Sequence, residues 1–182
     1  EEDASYKPVN AAGFTIHSAI HMTRDDAAYV VHTHTSAGIA VSAQKEGLLP
    51  ISQHALKFHG HLAYHGYEGI ALDLDERERL VADLGQHKAM ILRNHGLLAC
   101  GITIGQAFNS IYRLERACQT QLMAMACNSE MVFPPDAVIA KSNAQLSVMP
   151  SPDASGKRRA HGSLEWPALK RMLDRRDPSY KT

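Results

Sequence analysis

The sequence predicts a layered α/β or α+β domain around a mixed or antiparallel sheet. Two observations support this class. Apolar, strand-like runs alternate along the chain with segments of helical periodicity. In addition, two short apolar runs flank Asn94-His95-Gly96, whose turn residues favour a hairpin-like bend. Two strands joined by so short a bend pair antiparallel, which argues against a purely parallel sheet.

The elements of the first half follow from local patterns. Residues through Pro8 are predicted to form an extended arm, and Asn10 to cap a helix over 11–24. An apolar run over 28–34 predicts a buried strand. The remaining predictions are a small-residue helix over 36–44 that Gly47 ends, a helix over 52–59 and a short strand over 62–64.

The second half contains clearer helices. Residues 73–85 predict an amphipathic helix with a capping aspartate and a closing Gly85. Thr103 starts the longest helix, which is predicted to reach about Asn128. Beyond Pro134-Pro135 we expect irregular chain until a short helix over 163–177. These patterns predict a main domain over 1–133 and a C-terminal arm over 134–182, on this domain or on a neighbouring subunit.

Length and composition limit the classes of function that the sequence is compatible with. A chain of 182 residues is most naturally one domain, and 19 basic residues balance 19 acidic ones. This balance argues against nucleic-acid or membrane binding driven by overall charge. The sequence shows no signal-peptide pattern and no apolar run of membrane-spanning length. Its three cysteines form no C-x-x-C pair, so we expect reduced thiols and a cytoplasmic location, with Cys118 and Cys127 as packing residues.

Eleven histidines are the unusual feature of the composition. His32 and His34 alternate with Thr33 on the predicted strand, so both imidazoles point to one face. His95, at the predicted bend, is placed to reach the end of a neighbouring strand. Three imidazoles with an open fourth position form the pattern of a catalytic zinc site. Nitrogen ligation suits Zn²⁺ best and also admits Mn²⁺, Fe²⁺, Co²⁺ or Ni²⁺. The alternative is a set of separate polar histidines.

Other histidines offer weaker metal sites. His59 and His61 with His65 form a rival cluster, although their glycine-rich stretch suits a loop or a pocket lining better. His17 and His21 share one helical face and could form a second metal pair or cover a cleft. The remaining histidines are expected to be ordinary surface or loop residues: His54, His87 and His161.

Four segments, in order, resemble the class II aldolase/adducin family and most closely its adducin-like bacterial branch. They read GFTIHSAIH, VVHTHTSAGIAVSAQKEGLLPIS, AYHGYEGI and ILRNHGLLACG. The resemblance runs from Val9 to about Met125, and the tail over 162–180 also resembles bacterial members of that branch. The H-x-H pair followed by N-H-G carries the specificity, because each half alone is a weak signal.

The resemblance implies a three-layer αβα sandwich with a mixed, largely antiparallel sheet, and a homotetramer with active sites near subunit interfaces. It carries the metal ligands onto His32, His34 and His95. The enzymes of the family act on small hydroxy-carbonyl compounds as aldolases, epimerases, dehydratases or decarboxylases. In such enzymes a divalent metal stabilises the enediolate left when a C–C bond breaks or an α-proton leaves.

Two departures from the family pattern bear on the substrate. The sugar-phosphate aldolases carry Ser-Ser-Glu ahead of a helical histidine, where this chain has Ala11-Ala12-Gly13 ahead of His17. Both phosphate-binding hydroxyls and the acid/base carboxylate are therefore missing, which argues against a phosphate ester. The family also has an N-terminal segment before the position of Val9, and this sequence begins without it, so we expect either a fragment or a chain whose beginning was not resolved.

Other residues are candidates for the missing proton carrier. His17 and Tyr64 are the first choices, and His65, Tyr67 and His21 are alternatives. Sheet packing is the alternative role for the tyrosines. Glu115 could orient an imidazole, or it could be a solvated helix-face residue paired with a neighbouring arginine.

The leading hypothesis is therefore a divalent-metal-dependent lyase that acts on a small hydroxy-carbonyl or hydroxy-acid compound. The alternative is a non-catalytic, adducin-head-like oligomerisation or binding module with a vestigial or structural metal site. A decarboxylase or epimerase of the same family is a lesser alternative.

Overall fold

The computed structural model describes residues 10–70, 73–147, 155–156 and 159–181; the predicted N-terminal arm lies outside these ranges. The strands of the described residues are β1 Tyr29–Thr33, β2 Ala63–His65, β3 Ala89–Leu92 and β4 Gly96–Gly101. They form one sheet in the order β1-β4-β3-β2. The β1–β4 and β3–β4 pairs are antiparallel and the β2–β3 pair is parallel, which confirms the mixed sheet.

Helices cover both faces of this sheet. Their bounds are α1 Ala11–Thr23, α2 Ser36–Ser42, α3 Gln53–Leu56, α4 Glu76–Leu84, α5 Ile104–Ala126, α6 Asp136–Ser147 and α7 Glu165–Arg176, followed by a 3₁₀ turn, Pro178–Lys181. One core lies between the sheet and helices α1 and α4, with Ile20 and Leu80 buried against Leu98. The other lies between the sheet and helices α2 and α5, with Leu114 buried against Leu97. The predicted three-layer αβα architecture is therefore confirmed.

Helix ends match the sequence signals where a side chain supplies the missing partner. Asn10 accepts a hydrogen bond from the Gly13 amide, and Thr103 accepts one from the Gln106 amide. Asp75 occupies the predicted capping position of α4 but makes no side-chain capping bond, since its own backbone is helical. Gly85 ends α4 with a φ of 51°, a left-handed value that suits glycine.

Two segments differ from the prediction. Helix α2 ends at Ser42, before Gly47. Gly47, at a φ of +65°, belongs to the following turn, where a Cβ would lie 2.6 Å from the Tyr64 ring. The sequence predicts irregular chain after Pro134-Pro135, but this segment forms α6. In this helix Ile139 is the buried residue, so the apolar periodicity that predicts a helix is absent.

The C-terminal segment packs on the same chain in the described ranges. The Asn143 amide on α6 donates hydrogen bonds to the Leu56 and His59 carbonyls, both at 2.9 Å. Trp166 on α7 lies against Phe108 on α5, with ring centroids 5.2 Å apart. Among the described residues, no helix combines the length and hydrophobicity needed to cross a membrane.

Candidate metal centre

Strand β1 and the loop between β3 and β4 bring His32, His34 and His95 together at one end of the sheet. His32 pairs with Leu98, whose side chain faces α1 and α4, so its imidazole points to the same side. His34 follows the last residue of β1. His95 lies in the three-residue loop between β3 and β4, where Asn94 adopts a φ of 55°. Asparagine tolerates this left-handed backbone better than most residues.

The three imidazoles face one another. The ring centroids of His32 and His34 are 4.6 Å apart, those of His32 and His95 4.8 Å, and those of His34 and His95 4.6 Å. One nitrogen from each ring lies within 4.8 Å of the others. This is the only such group of three potential ligands among the residues that the structure describes. The spatial cluster is therefore the one that the H-x-H spacing and the N-H-G bend predict.

The cluster fits a four-coordinate divalent cation. Nitrogens that lie about 2.0–2.1 Å from a tetrahedral metal stand roughly 3.3 Å apart. The Nε2 atoms of His32 and His34 are 2.7 Å apart, so a small outward rotation of one ring would accommodate the metal. His34 is exposed while the other two rings are partly buried, so the fourth position can face solvent. The residues present could hold a metal and leave one site for a ligand.

A backbone contact orients His32. Its Nδ1 lies 2.9 Å from the Leu97 carbonyl, which can only accept a hydrogen bond. The Nδ1–H tautomer is therefore favoured, and the lone pair of Nε2 is directed at the cluster. Such hydrogen bonds from the second ring nitrogen commonly orient metal-binding histidines.

Glycine permits the close strand approach beneath the cluster. A Cβ on Gly96 would lie 2.3 Å from the Thr33 carbonyl oxygen and 3.4 Å from Cε1 of His32. Gly96 follows His95 directly and Thr33 separates the other two histidines. A larger residue here would push apart the two strands that carry the candidate ligands.

Burial favours the neutral imidazoles that metal binding requires. It lowers the pKa of His32 to about 4, with smaller contributions from His95, His34 and His17. Burial is also the main cause of the lowered pKa of His95, to which His34 and His65 add. At neutral pH these nitrogens are therefore available as ligands without loss of a proton.

His17 and Tyr67 lie beside the cluster, and Tyr64 does not. His17, on α1, is close enough to His32 to lower its pKa, and its own pKa is lowered by burial and by His21. The rings of His17 and His21 are 6.2 Å apart, outside the three-histidine group. Tyr67 is exposed, and its ring centroid lies 6.5 Å from that of His95.

Tyr64 has a structural role on the opposite face of the sheet. It pairs with Ile91, whose side chain belongs to the core under α2 and α5. Its hydroxyl accepts a hydrogen bond from the Leu48 amide at 3.0 Å, and the Arg93 guanidinium lies 4.4 Å from its ring centroid. The structure therefore places Tyr64, a first choice for the proton carrier, away from the cluster, where it packs against the sheet.

The rival cluster of His59, His61 and His65 does not assemble. Nε2 of His61 contacts the Asn143 side chain at 3.1 Å, and the side chain of His59 is exposed. His65 is buried, with Nδ1 2.7 Å from the Asp83 carboxylate and Nε2 3.4 Å from that of Glu76. Sequence reasoning missed these acidic partners, although their seven-residue spacing puts both on one face of α4.

Glu115 does not contact an imidazole. Its Oε2 accepts a hydrogen bond from the Thr35 hydroxyl at 2.5 Å, and Thr35 directly follows His34. Neither neighbouring arginine pairs with it: Arg113 donates to Asn109 and Arg116 to Gln119. Cys118 is buried, as expected of a packing residue, whereas Cys127 is exposed, because it lies just beyond the end of α5.

The chain is similar to a family model described as the class II aldolase and adducin N-terminal domain, over residues 1–122. It is 47% identical over 180 residues to a Pseudomonas aeruginosa protein that carries a class 2 aldolase name, covering 98% of this chain and 67% of that protein. It is also 43% identical over 171 residues to rat alpha-adducin, covering 91% of this chain and 23% of the adducin.

Solved structures of aldolase II proteins share the fold of this chain. An aldolase II superfamily protein from Pseudomonas syringae matches with a TM-score of 0.85 and 50% identity, covering 99% of this chain and 69% of that chain. The L-fuculose 1-phosphate aldolase from Glaciozyma antarctica matches with a TM-score of 0.73 and 29% identity, covering 94% of this chain and 61% of that chain. A second bacterial relative, from Caulobacter vibrioides, is 49% identical over 173 residues, and the chain spans 64% of its length.

Proposed function

This chain belongs to the class II aldolase and adducin family, and on that premise we propose that it is a divalent-metal-dependent carbon–carbon lyase. The proposed substrate is a small hydroxy-carbonyl or hydroxy-acid compound. The observation that carries the proposal is the convergence of His32, His34 and His95, with one nitrogen of each ring within 4.8 Å of the others. Class II aldolases are generally divalent-metal dependent, and the cluster supplies three nitrogen donors.

His32, His34 and His95 would hold the cation, with Zn²⁺ as the first choice and Mn²⁺, Fe²⁺, Co²⁺ or Ni²⁺ as alternatives. When bound, the cation supplies Lewis-acid stabilisation of the negative charge that develops on the substrate oxygens. The protein fixes the geometry of this site: the Leu97 carbonyl holds the His32 ring, and the β3–β4 loop holds His95.

His17 is the first candidate for a proton carrier. It is half-buried beside His32, and burial lowers its pKa, so the imidazole is neutral at pH 7 and can accept a proton. The Tyr67 hydroxyl is the second candidate, because a phenol can donate a hydrogen bond to a developing oxyanion and its ring lies 6.5 Å from that of His95.

The start of α1 argues against a phosphate ester as substrate. Its first turn reads Ala11-Ala12-Gly13 and contains no acidic residue, no hydroxyl and no cationic side chain. The L-fuculose 1-phosphate aldolase of Glaciozyma antarctica acts on a phosphorylated sugar by its name, and shares the fold at 29% identity. We therefore propose that the two proteins share the metal chemistry and differ in the group that anchors the substrate.

A non-catalytic binding or oligomerisation module is the second candidate. The absence of the expected carboxylate at Gly13 favours it, as does the 43% identity to rat alpha-adducin. A decarboxylase or epimerase with the same metal site is a lesser candidate.

We further propose that the chain forms a homotetramer. We also propose a reducing, cytoplasmic location, which the free thiols of Cys100, Cys118 and Cys127 support.

The deciding experiment combines metal analysis with a substrate screen. Protein purified without chelator should carry near-stoichiometric divalent metal, and His32→Ala and His95→Ala should lose it. His59→Ala, an exposed histidine outside the cluster, is the matched control and should retain it. Metal-dependent turnover of a hydroxy-ketone, hydroxy-acid or aldehyde pair would support the lyase. Bound metal without turnover of any of them would favour the module, and retention of metal in both cluster variants would refute the site.

A further inference from the structure

The side chain of Glu115 links the long helix α5 to the end of strand β1. Its Oε2 accepts the Thr35 hydroxyl hydrogen at 2.5 Å, and its Oε1 accepts a hydrogen bond from the Gln119 amide at 2.9 Å. Thr35 and Glu115 are 80 residues apart in sequence. The contact therefore exists only in the folded domain, and it ends one residue from the candidate ligand His34.

Thr35 makes this contact in place of its usual local one. It occupies the N-cap position of α2, where a threonine hydroxyl normally accepts a hydrogen bond from a helix amide. Here the side chain makes no capping bond, and its hydroxyl donates to Glu115 instead. A carboxylate can only accept, so the direction of this hydrogen bond is unambiguous while Glu115 is ionised.

Glu115 has no cationic partner among the described residues. No lysine, arginine or histidine of the described ranges lies within ion-pair distance of its carboxylate, and the adjacent arginines contact other side chains. A half-buried carboxylate without a salt bridge contributes little through ion pairing. Its two hydrogen bonds, to Thr35 and Gln119, are the contacts that remain.

His34 needs such support more than the other two candidate ligands do. His32 is held through Nδ1 by the Leu97 carbonyl, and His95 by its tight loop. His34 is exposed and lies beyond the end of β1, and its one hydrogen bond in the described structure joins it to His32. The position of its ring therefore depends on the backbone at Thr35.

From these contacts we infer that Glu115 is a positioning residue for the metal ligand His34, acting through the hydroxyl of Thr35. The inference rests on the proposed metal site. It assigns to that site a carboxylate that touches none of the three metal-binding histidines.

Metal affinity, not turnover, tests this role. Zn²⁺ dissociation constants are measured by competition with a chromophoric chelator on the wild type, Glu115→Ala, Thr35→Val and Thr35→Ser, with Co²⁺ absorption spectra as a report on ligand geometry. Glu78→Ala, an exposed glutamate on α4, is the matched control. Thr35→Val and Glu115→Ala should each weaken Zn²⁺ binding about 10- to 100-fold and alter the Co²⁺ spectrum.

The conservative variant and the double variant complete the test. Thr35→Ser keeps the hydroxyl and should bind within about threefold of wild type, and the combination of Thr35→Val with Glu115→Ala should lose no more than either alone. Zn²⁺ binding within twofold of wild type by folded Thr35→Val would overturn the inference, even if Glu115→Ala failed to fold. Failure of the proposed metal site would give a different result from failure of this inference. Wild type would then bind no Zn²⁺, or His95→Ala would bind Zn²⁺ as tightly as wild type.

Discussion

Gly96→Ala should loosen the contact between the two strands that carry the candidate ligands. The added Cβ would lie 2.3 Å from the Thr33 carbonyl oxygen and 3.3 Å from its carbonyl carbon. An ordinary carbon–oxygen contact is about 3.3 Å or longer, so β1 and β4 must separate by about 1 Å. The obstacle is backbone and cannot rotate away, unlike a flexible side chain.

The magnitude follows from two opposing effects. Overpacking against a fixed neighbour costs about 3 kcal/mol, and the lower chain entropy of alanine returns about 0.5–1 kcal/mol. The net loss in the free energy of unfolding is therefore about 2 kcal/mol, or roughly 4–8 °C in Tm for a chain of this size. His32 and His95 would also move apart, so Zn²⁺ affinity should fall at least about tenfold.

Urea denaturation and chelator competition measure the two effects. Gly13→Ala is the matched control: its Cβ would meet nothing nearer than the Asn10 side chain, at 3.8 Å, and it lies inside α1. It should raise stability by about 0.5–1 kcal/mol and leave metal binding unchanged. If Gly96→Ala has the urea midpoint and Zn²⁺ affinity of wild type, the argument from close strand approach is refuted.

Three further predictions concern other parts of the domain. Tyr64→Phe should lower the free energy of unfolding by about 1–2 kcal/mol, because the Leu48 amide loses its acceptor. Its Zn²⁺ affinity should equal that of wild type, and a tenfold change would show that Tyr64 belongs to the metal site. Native protein should be alkylated at Cys127, which is exposed, and not at Cys118, where burial raises the pKa of the thiol to about 12, as peptide mapping after iodoacetamide treatment would show. Chelator-treated protein should lose stability as the pH falls from 6.5 to about 4, because the unfolded chain takes up a proton that the buried His32 resists; a urea midpoint constant over this range would contradict the lowered pKa.

Local patterns predicted most of the elements that position the candidate site. The helix begun by Asn10 and the hairpin around His95 follow from short-range chemistry: a side chain that accepts from a nearby amide, and an asparagine that tolerates left-handed backbone. Local patterns did not predict helix α6, because it has no apolar stripe. Hydrogen bonds from Asn143 to backbone carbonyls distant in sequence hold it to the domain instead.

By itself the sequence determined the α/β class, the family resemblance and the identity of the three clustered histidines. The histidines could be identified because strand alternation and a hairpin bend place side chains through local geometry, and the resemblance implies the same three ligands. Only the tertiary structure decided which partners Tyr64, His65 and Glu115 contact. Each contact joins residues 11 to 80 positions apart, so the face of the sheet or helix on which a residue lies decides whether it meets the threonine beside the candidate metal site, a buried carboxylate or a backbone amide.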